Sequence, residues 1–494
     1  MKKCVIIGSG LGGLSCGYIL SKNGYDVTIL EQGEQLGGCL QCFRRDGALF
    51  ETGMHYIGAS EPGQSLNTIW HYLGLNKNVE LQRLNPYGYD VISFKGEHYN
   101  FANGKEEFVN SLATHFPNSR DELNNYYDLI KLVASSSAMH SLSNDIDINI
   151  NAEYQLRSVN EVVNKTISDP ILRDVLVGNL ILYAGVKDKT PFSTHALIND
   201  SFLQSAFRIV GGSCKVAESL VTSIKNMGGR VLNRNKVNKI ECDASQATAV
   251  ITTDGERYPA DIVISAIHPS RTLDLVESTL IRPAYRRRIE NFSNTPSVFT
   301  VYLKFKKNSL KYMDSNLYYY RHDIWGCEDY SSSSWPKSLL YMHFCHEKNP
   351  LFAESGEIMT YMNYDDVKSW IGTKVGHRGI SYEEFKKEKA ERIIDVLAEE
   401  IPDIRSHIES YYTSTPLTYI DYTDAPEGAM YGVLKDVQAP GTGYISCRTK
   451  IPNLLLTGQS ITSHGMFGVL AGSLITCEEL LTRETLFSQL KSNQ

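Results

Sequence analysis

The sequence predicts an α/β fold, and three stretches of it carry the prediction. In the first, the β-branched run Val5-Ile6-Ile7 enters Gly8-Ser9-Gly10-Leu11-Gly12-Gly13, a helical pattern closes at Gly24, and a second strand pattern runs from Asp26 to Leu30. In the second, Gly211-Gly212 precedes a helical pattern (Val216, Leu220, Val221, Ile224), then Gly228-Gly229 and a strand from Arg230 to Asn233. In the third, the apolar run Leu454-Leu455-Leu456 ends in Thr457-Gly458-Gln459, and a Gly-rich helix opens at Ser463-His464-Gly465. Strands alternating with helical patterns point to a parallel sheet with crossover helices.

The first stretch says more than fold class. Gly8, Gly10 and Gly13 fit G-x-G-x-x-G after a strand and before a helix, the context that gives the motif meaning. The first Gly permits a tight turn, the second lets backbone approach a pyrophosphate, and the third lets helix and strand pack closely. The helix start at Leu11 and Gly12 supplies N–H donors and partial positive charge. Glu31 closes the second strand 18 residues after Gly13 (31 − 13), near the roughly 20 expected for an acid that binds a ribose 2′-OH. That acid disfavours a 2′-phosphate, so NADP is not expected here. The competing reading is a structural Gly turn in another α/β fold. No second complete fingerprint is found: Gly441-Thr442-Gly443 fails because Ser446 stands where a Gly is needed.

At 494 residues the chain exceeds one typical domain, and about 150 residues per domain suggests roughly three units. The net charge of −7 leaves no global footprint for nucleic acid. Neither a signal-peptide pattern nor an unbroken apolar run of about 18 residues is visible, so a cytoplasmic protein, soluble or peripheral to a membrane, is expected. Ten scattered cysteines argue for free thiols. Cys39-x-x-Cys42 invites a redox-pair reading, but nothing around it has metal-site spacing, and no metal is expected. The basic clusters Arg286-Arg287-Arg288 and Lys304, Lys306 and Lys307 read as solvated faces or as a membrane-contact surface.

Beyond Glu31 come Gln32, the loop Gly37-Gly38 and a strand from Ala48 to Glu51 leading into Thr52-Gly53-Met54-His55-Tyr56. Glu31-x-x-x-x-Leu36-Gly37-Gly38 followed by Phe50-Glu51-Thr52-Gly53-Met54-His55-Tyr56 resembles the phytoene desaturase, carotenoid isomerase and retinol saturase family of FAD-dependent oxidoreductases, within the amine-oxidase-like flavoproteins. Pro426-Glu427-Gly428-Ala429-Met430-Tyr431-Gly432 looks like its saturase and isomerase branch. The resemblance is strongest over about 1–75, 205–270 and 410–485.

It implies a Rossmann-type FAD-binding domain, discontinuous over 1–78, 205–295 and 415–494. A sheet-plus-helix substrate lobe with a helical cap would occupy 79–204 and 296–414. It implies that FAD is held by Gly8, Gly10, Leu11, Gly12, Gly13, Glu31, Gln32, Gly37, Gly38, Met54, His55, Val237, Gly458, Gly465, Met466, Gly468 and Val469. Val237 would meet adenine, and the helix opening at Gly465 would lie near the pyrimidine edge of the flavin.

Along the rest of the chain, Ser65 to Leu75 reads as a helix. Residues 79–104 read as strands with a turn at Gly96, and 105–140 as helix broken at Phe116-Pro117. Residues 141–152 read as an exposed loop. Ser158 can cap a helix, and the apolar stretch 170–185 reads as a buried helix, a tunnel lining or a membrane-surface segment. Val298 to Phe305 alternates as a strand, and 383–411 reads as helical, interrupted at Pro402. Tyr318-Tyr319-Tyr320 could stack on a flat substrate or be ordinary sheet residues.

Hydride transfer to or from a polyene carbon at flavin N5 needs a dry slot and few charged groups. His55 and His464 are the candidate acid/base residues, each with the alternative that it only hydrogen-bonds cofactor or backbone. The leading expectation is an FAD-dependent oxidoreductase acting on C–C double bonds of a lipophilic polyene or isoprenoid, as saturase, desaturase or isomerase, with an unidentified electron donor or acceptor. An amine oxidase and a non-catalytic prenyl-lipid carrier on the same scaffold are the alternatives.

Overall fold

The computed structural model describes residues 1–330, 333–439 and 445–492; the Gly441-Thr442-Gly443 run lies outside them. The strand β1 (Lys3–Ile7) sits at the centre of a five-stranded parallel sheet. Its order is Arg230–Leu232, β2 (Asp26–Leu30), β1, Ile262–Ser265, Leu454–Leu456. Val5 lies in register with Thr28 on one side and Val263 on the other. These strands are buried on both faces, which is why they read as unbroken apolar runs. The crossover helix α1 (Leu11–Lys22) packs against the helix Gly465–Leu481 from the far end of the chain, where Ser473 Oγ donates to the Gly12 carbonyl at 3.3 Å.

A seven-stranded sheet forms the second layer system, in the order Ile408–Ser414, Ser297–Phe305, Ser355–Met362, Ser338–His343, Asn316–Tyr320, Asp90–Phe94, Glu97–Phe101. Alternation sorts its side chains. Tyr318, Tyr320, Leu340 and Met359 join the core beneath the helices of residues 105–204, while Leu317, Leu339, Tyr341 and Ile358 pack with Ile393, Ile394 and Leu397 of the helix Ile380–Glu400. The tyrosine run is therefore sheet. Tyr318 OH is 2.6 Å from Tyr56 OH, and Tyr320 OH donates to the Gly178 carbonyl at 2.7 Å.

Three expectations need correction. Residues 141–152 are not all loop: Asp147 accepts from Asn149 N–H and caps a helix over Ile148–Gln155. The apolar stretch after Pro170 is not one helix. It is helical over Pro170–Leu176, turns at Val177-Gly178, and resumes as a short 3-10 turn over Leu180–Tyr183. The helical reading of 383–411 ends too late, since Ile408–Ser414 is an edge strand paired with Ser297–Phe305. Of the basic clusters, Arg286 donates to the Leu273 and Val276 carbonyls, Lys304 pairs with Glu409, and Lys306 donates to the Ser406 carbonyl.

Within this sheet Asp90, the first residue of its strand, is fully buried, accepting from Asn316 Nδ2 at 2.7 Å and Tyr56 OH at 3.1 Å. Burial raises its pKa to about 7. A raised carboxyl pKa means that stability present below the unfolded value is lost as pH rises through the folded one. Asp90→Asn is therefore expected to be more stable than wild type at pH 8, by about 1–3 kcal/mol. The gain should shrink towards pH 4, as thermal melts at the two pH values would show.

Candidate active site

The glycine loop divides its work as the spacing implies. Gly8 turns the chain at φ +95°. A Cβ added at Gly13 would lie 2.1 Å from the Gly8 carbonyl oxygen, so only Gly lets α1 approach β1 this closely. A Cβ added at Gly10 would meet nothing within 4 Å, because Gly10 faces an open groove. The Glu31 carboxylate accepts from Ser9 N–H at 2.9 Å, Ser9 Oγ at 2.7 Å and Gly33 N–H at 2.8 Å. Ser9 Oγ in turn accepts from Gly37 N–H at 3.1 Å. Ser9 was not singled out in the sequence, yet it ties the glycine loop to the Glu31–Gly38 segment.

The groove is a cavity of about 410 Å³. Gly8, Gly10, Leu11, Gly12, Glu31, Gln32, Gly38, Val237, Gly458 and Val469 line it. A small cavity of about 80 Å³ adjoins it through Leu11, Cys39, Gln459 and Val469, and includes Gly37. An apolar pocket of about 310 Å³ follows, sharing Met54, His55, Tyr431, Gly465 and Met466 with the small cavity. Gly468 lines only this last pocket, and Gly13 lines none of the three, packing beneath the loop instead. Apart from Gly13, the sequence-predicted residues thus lie along one run of space, from the glycine loop past His55 into an apolar slot.

His55 is backed by charge that sequence reasoning missed. Its Nδ1 lies 3.5 Å from Glu357 Oε2. Glu357 Oε1 accepts from Glu51 N–H at 3.0 Å, and Glu51 Oε1 accepts from Ser213 N–H at 3.2 Å. The two carboxyls are buried, and desolvation holds both well above the usual carboxylate range, with the Arg208 guanidinium opposing. Burial, with Arg208 adding, pushes the His55 pKa down to about 3, so its imidazole is neutral at neutral pH. The available signal was charge inside strand patterns: Glu357 between Gly356 and Ile358, and Arg208 between Phe207 and Ile209.

His464 has a different setting. Its ring stacks on Tyr431 at 4.0 Å, and its Nε2 donates to the Leu182 carbonyl at 3.2 Å. Burial lowers its pKa to about 4. It forms pocket wall ahead of the helix Gly465–Leu481. Lys435, also missed in the sequence, is buried and donates to the Ser460 carbonyl at 2.9 Å, pinning the turn beyond Gly458. Desolvation lowers its pKa to about 7. Cys39 lines the groove, while Cys42 accepts from Cys214 N–H at 3.3 Å, a different neighbour from the one its spacing suggested; both thiols are free.

A pocket for a single nucleotide would stop near the phosphate loop and ribose acid. Here the space continues from the helix start at Leu11, past Glu31 and on to the Gly465 end, and the open face at Gly10 leaves room for a pyrophosphate. These residues fit a flavin dinucleotide, and the class is that of the FAD-dependent oxidoreductases. Residues 11–481 match the model of the flavin containing amine oxidoreductases, and the chain belongs to that family.

Among known proteins, it is 27% identical over 531 residues to the all-trans-retinol 13,14-reductase of Rattus norvegicus, covering 99% of this chain and 87% of that one. It is 25% identical over 280 residues to the lycopene-forming phytoene desaturase of a Paracoccus species, covering 53% of this chain and 54% of the other. The resemblance to the saturase, desaturase and isomerase group is thereby borne out. In fold, the chain is similar to a putrescine oxidase bound to putrescine, with a TM-score of 0.66 at 14% identity over 99% of both chains. An oxidoreductase from Methanosarcina mazei gives a TM-score of 0.64 at 16% identity, covering 96% of this chain and 100% of that one.

Proposed function

We propose that the protein oxidises, reduces or isomerises C–C double bonds of a lipophilic polyene or isoprenoid. The observation that carries this reading is the apolar pocket adjoining the His55 end of the cofactor groove, walled by Met54, Ile57, Ile181, Leu182, Phe202 and Met359. Relatives named for retinol and phytoene chemistry support it. FAD, when bound, supplies two-electron chemistry, and the reading places hydride exchange at its N5.

In this reading sixteen of the seventeen predicted residues hold FAD, with Glu31 at the ribose and the helix start at Leu11 and Gly12 at the pyrophosphate, while Gly13 lets that helix pack on the strand. The parallel-sheet segments 1–78, 205–295 and 415–494 form the cofactor domain, and 79–204 with 296–414 the substrate lobe. The pocket walls orient the chain of the substrate and exclude water. His55, neutral and backed by the Glu357 carboxyl, holds or releases a proton beside the pocket, and His464 keeps its wall role.

The test is anaerobic mixing of the reduced holoenzyme with retinol, a carotene, an unsaturated fatty acid and an amine. Reoxidation of the reduced flavin by a polyene, its isomerisation without net redox change, or, in a parallel mixing, reduction of the oxidised flavin by a polyene is the expected result; none of the three with any polyene would overturn the reading, and turnover of an amine by the oxidised enzyme would replace it.

A further inference from the structure

The spacing Cys39-x-x-Cys42 suggests a redox pair, but the fold puts a different thiol beside Cys42. Cys42 lies on the strand Cys42–Arg45 and is buried, 6% exposed. Cys214 opens the 13-residue helix Cys214–Asn226 and keeps part of its surface open to solvent. Cys42 Sγ accepts from Cys214 N–H at 3.3 Å, and the two thiols hydrogen-bond to each other. Gly212 makes this approach possible, since a Cβ there would lie 2.9 Å from Cys42 Sγ. The Cys214 thiol also reaches the Gly211 carbonyl, at a long 3.8 Å.

Cys214 stands where a helix start concentrates partial positive charge, which favours a thiolate. The Cys42 thiol donates to it, and Lys215 adds positive charge, against burial and the Glu218 carboxylate; the outcome is a pKa lowered to about 7. The same bond, with burial, pushes the Cys42 thiol up, so Cys42 keeps its proton. A thiolate open to solvent beside a buried, protonated thiol is the arrangement of an oxidisable cysteine and its resolving partner. We propose that Cys214 is a site of oxidation by hydrogen peroxide, and that Cys42 resolves the product as a Cys42–Cys214 disulfide. The Cys214 thiolate attacks one peroxide oxygen, the O–O bond breaks and hydroxide leaves. The sulfur, oxidised by two electrons, is then a sulfenic acid. The Cys42 sulfur attacks the Cys214 sulfur; the S–S bond forms, the S–O bond breaks, and the departing hydroxide takes the Cys42 proton as water. Two thiols and one peroxide give one disulfide and two waters. The bridge ties the strand that follows Gly38–Leu40 to the helix, beside Ser213, which donates to the Leu40 carbonyl and to Glu51 Oε1.

The experiment takes the FAD-loaded protein, reduced with dithiothreitol, freed of it and treated with hydrogen peroxide at neutral pH. Remaining thiols are alkylated, and a non-reducing digest is read by mass spectrometry. The expected result is a cross-linked peptide joining Cys42 to Cys214, two hydrogens lighter than its thiol halves and lost when dithiothreitol is returned. In Cys42→Ser the resolving thiol is gone, and the sulfenic acid at Cys214 is expected to be captured by dimedone. In Cys214→Ser, Cys42 is expected to stay reduced at the same peroxide dose.

A bridge between Cys39 and Cys42 overturns the proposal, and so does peroxide treatment that leaves Cys214 reduced. Oxidation of Cys42 in Cys214→Ser overturns the order of roles, since Cys42 would then be the reactive thiol. Oxidation of Cys214 to sulfinic acid without a bridge overturns the assignment of Cys42 as its partner. All of these results are read without a substrate, so each leaves the polyene reading intact.

Discussion

Gly13→Ala is expected to lower the melting temperature and strip the protein of FAD, whereas Gly10→Ala is expected to weaken FAD binding with the apoprotein melt unchanged. The contrast follows from what each new methyl would meet. At Gly13 it falls 2.1 Å from the Gly8 carbonyl oxygen, a backbone atom that cannot swing aside. Helix α1 must move off β1, at a cost of about 3 kcal/mol, and its N-terminus moves with it, away from the pyrophosphate. At Gly10 the methyl meets nothing in the protein, and the φ of −61° there suits alanine. It projects into the groove, so only the ligand feels it. Melting curves of the apoproteins and the ratio of flavin to protein absorbance separate the two. Identical behaviour of both variants would mean that the loop does not face the cofactor as argued.

Glu31→Ala should have the second large effect. The carboxylate holds three donors, from Ser9 N–H, Ser9 Oγ and Gly33 N–H, besides its expected bond to the ribose. Its removal orphans the two backbone N–H groups, at about 1–3 kcal/mol each where they stay buried, and unties the glycine loop from Gly33, leaving only the bond from Gly37 N–H to Ser9 Oγ. FAD affinity is expected to fall by about a hundredfold, the equivalent of one charged hydrogen bond and part of the loop's order. Glu31→Gln keeps one acceptor oxygen and should lie between. Titration of the apoproteins with FAD gives the answer, and an unchanged affinity in Glu31→Ala would place the ribose elsewhere.

The glycine-loop groove was legible because its grammar is local. Gly8, Gly10, Gly13 and Glu31 sit within one βαβ unit, and Gly465 to Val469 opens a helix directly after a buried strand. The charge behind His55 was not legible. Glu51 ends a strand near the start of the chain, Arg208 lies in Ala206–Ile209 and Glu357 in Ser355–Met362, and only tertiary packing brings them together. The misread end of the 383–411 segment has a similar cause. Tyr411, Tyr412 and Thr413 favour strands, but what settles their state is the free edge of Ser297–Phe305 beside them. Cys42 makes the same point in miniature: its spacing suggests Cys39, and the fold gives it Cys214.

The parallel sheet described above has a consequence for how the protein comes into being. Its five strands are drawn from residues 3–30, 230–232, 262–265 and 454–456. The glycine loop leaves the ribosome long before the edge strand and the helix that close the groove. The nascent chain therefore carries a half-built cradle until residues 454–481 have been made, and flavin capture waits for them. Contacts of such long sequence separation make folding slow, so free FAD in the surrounding medium, by binding only the finished fold, acts as the latch that draws the two ends of the chain together.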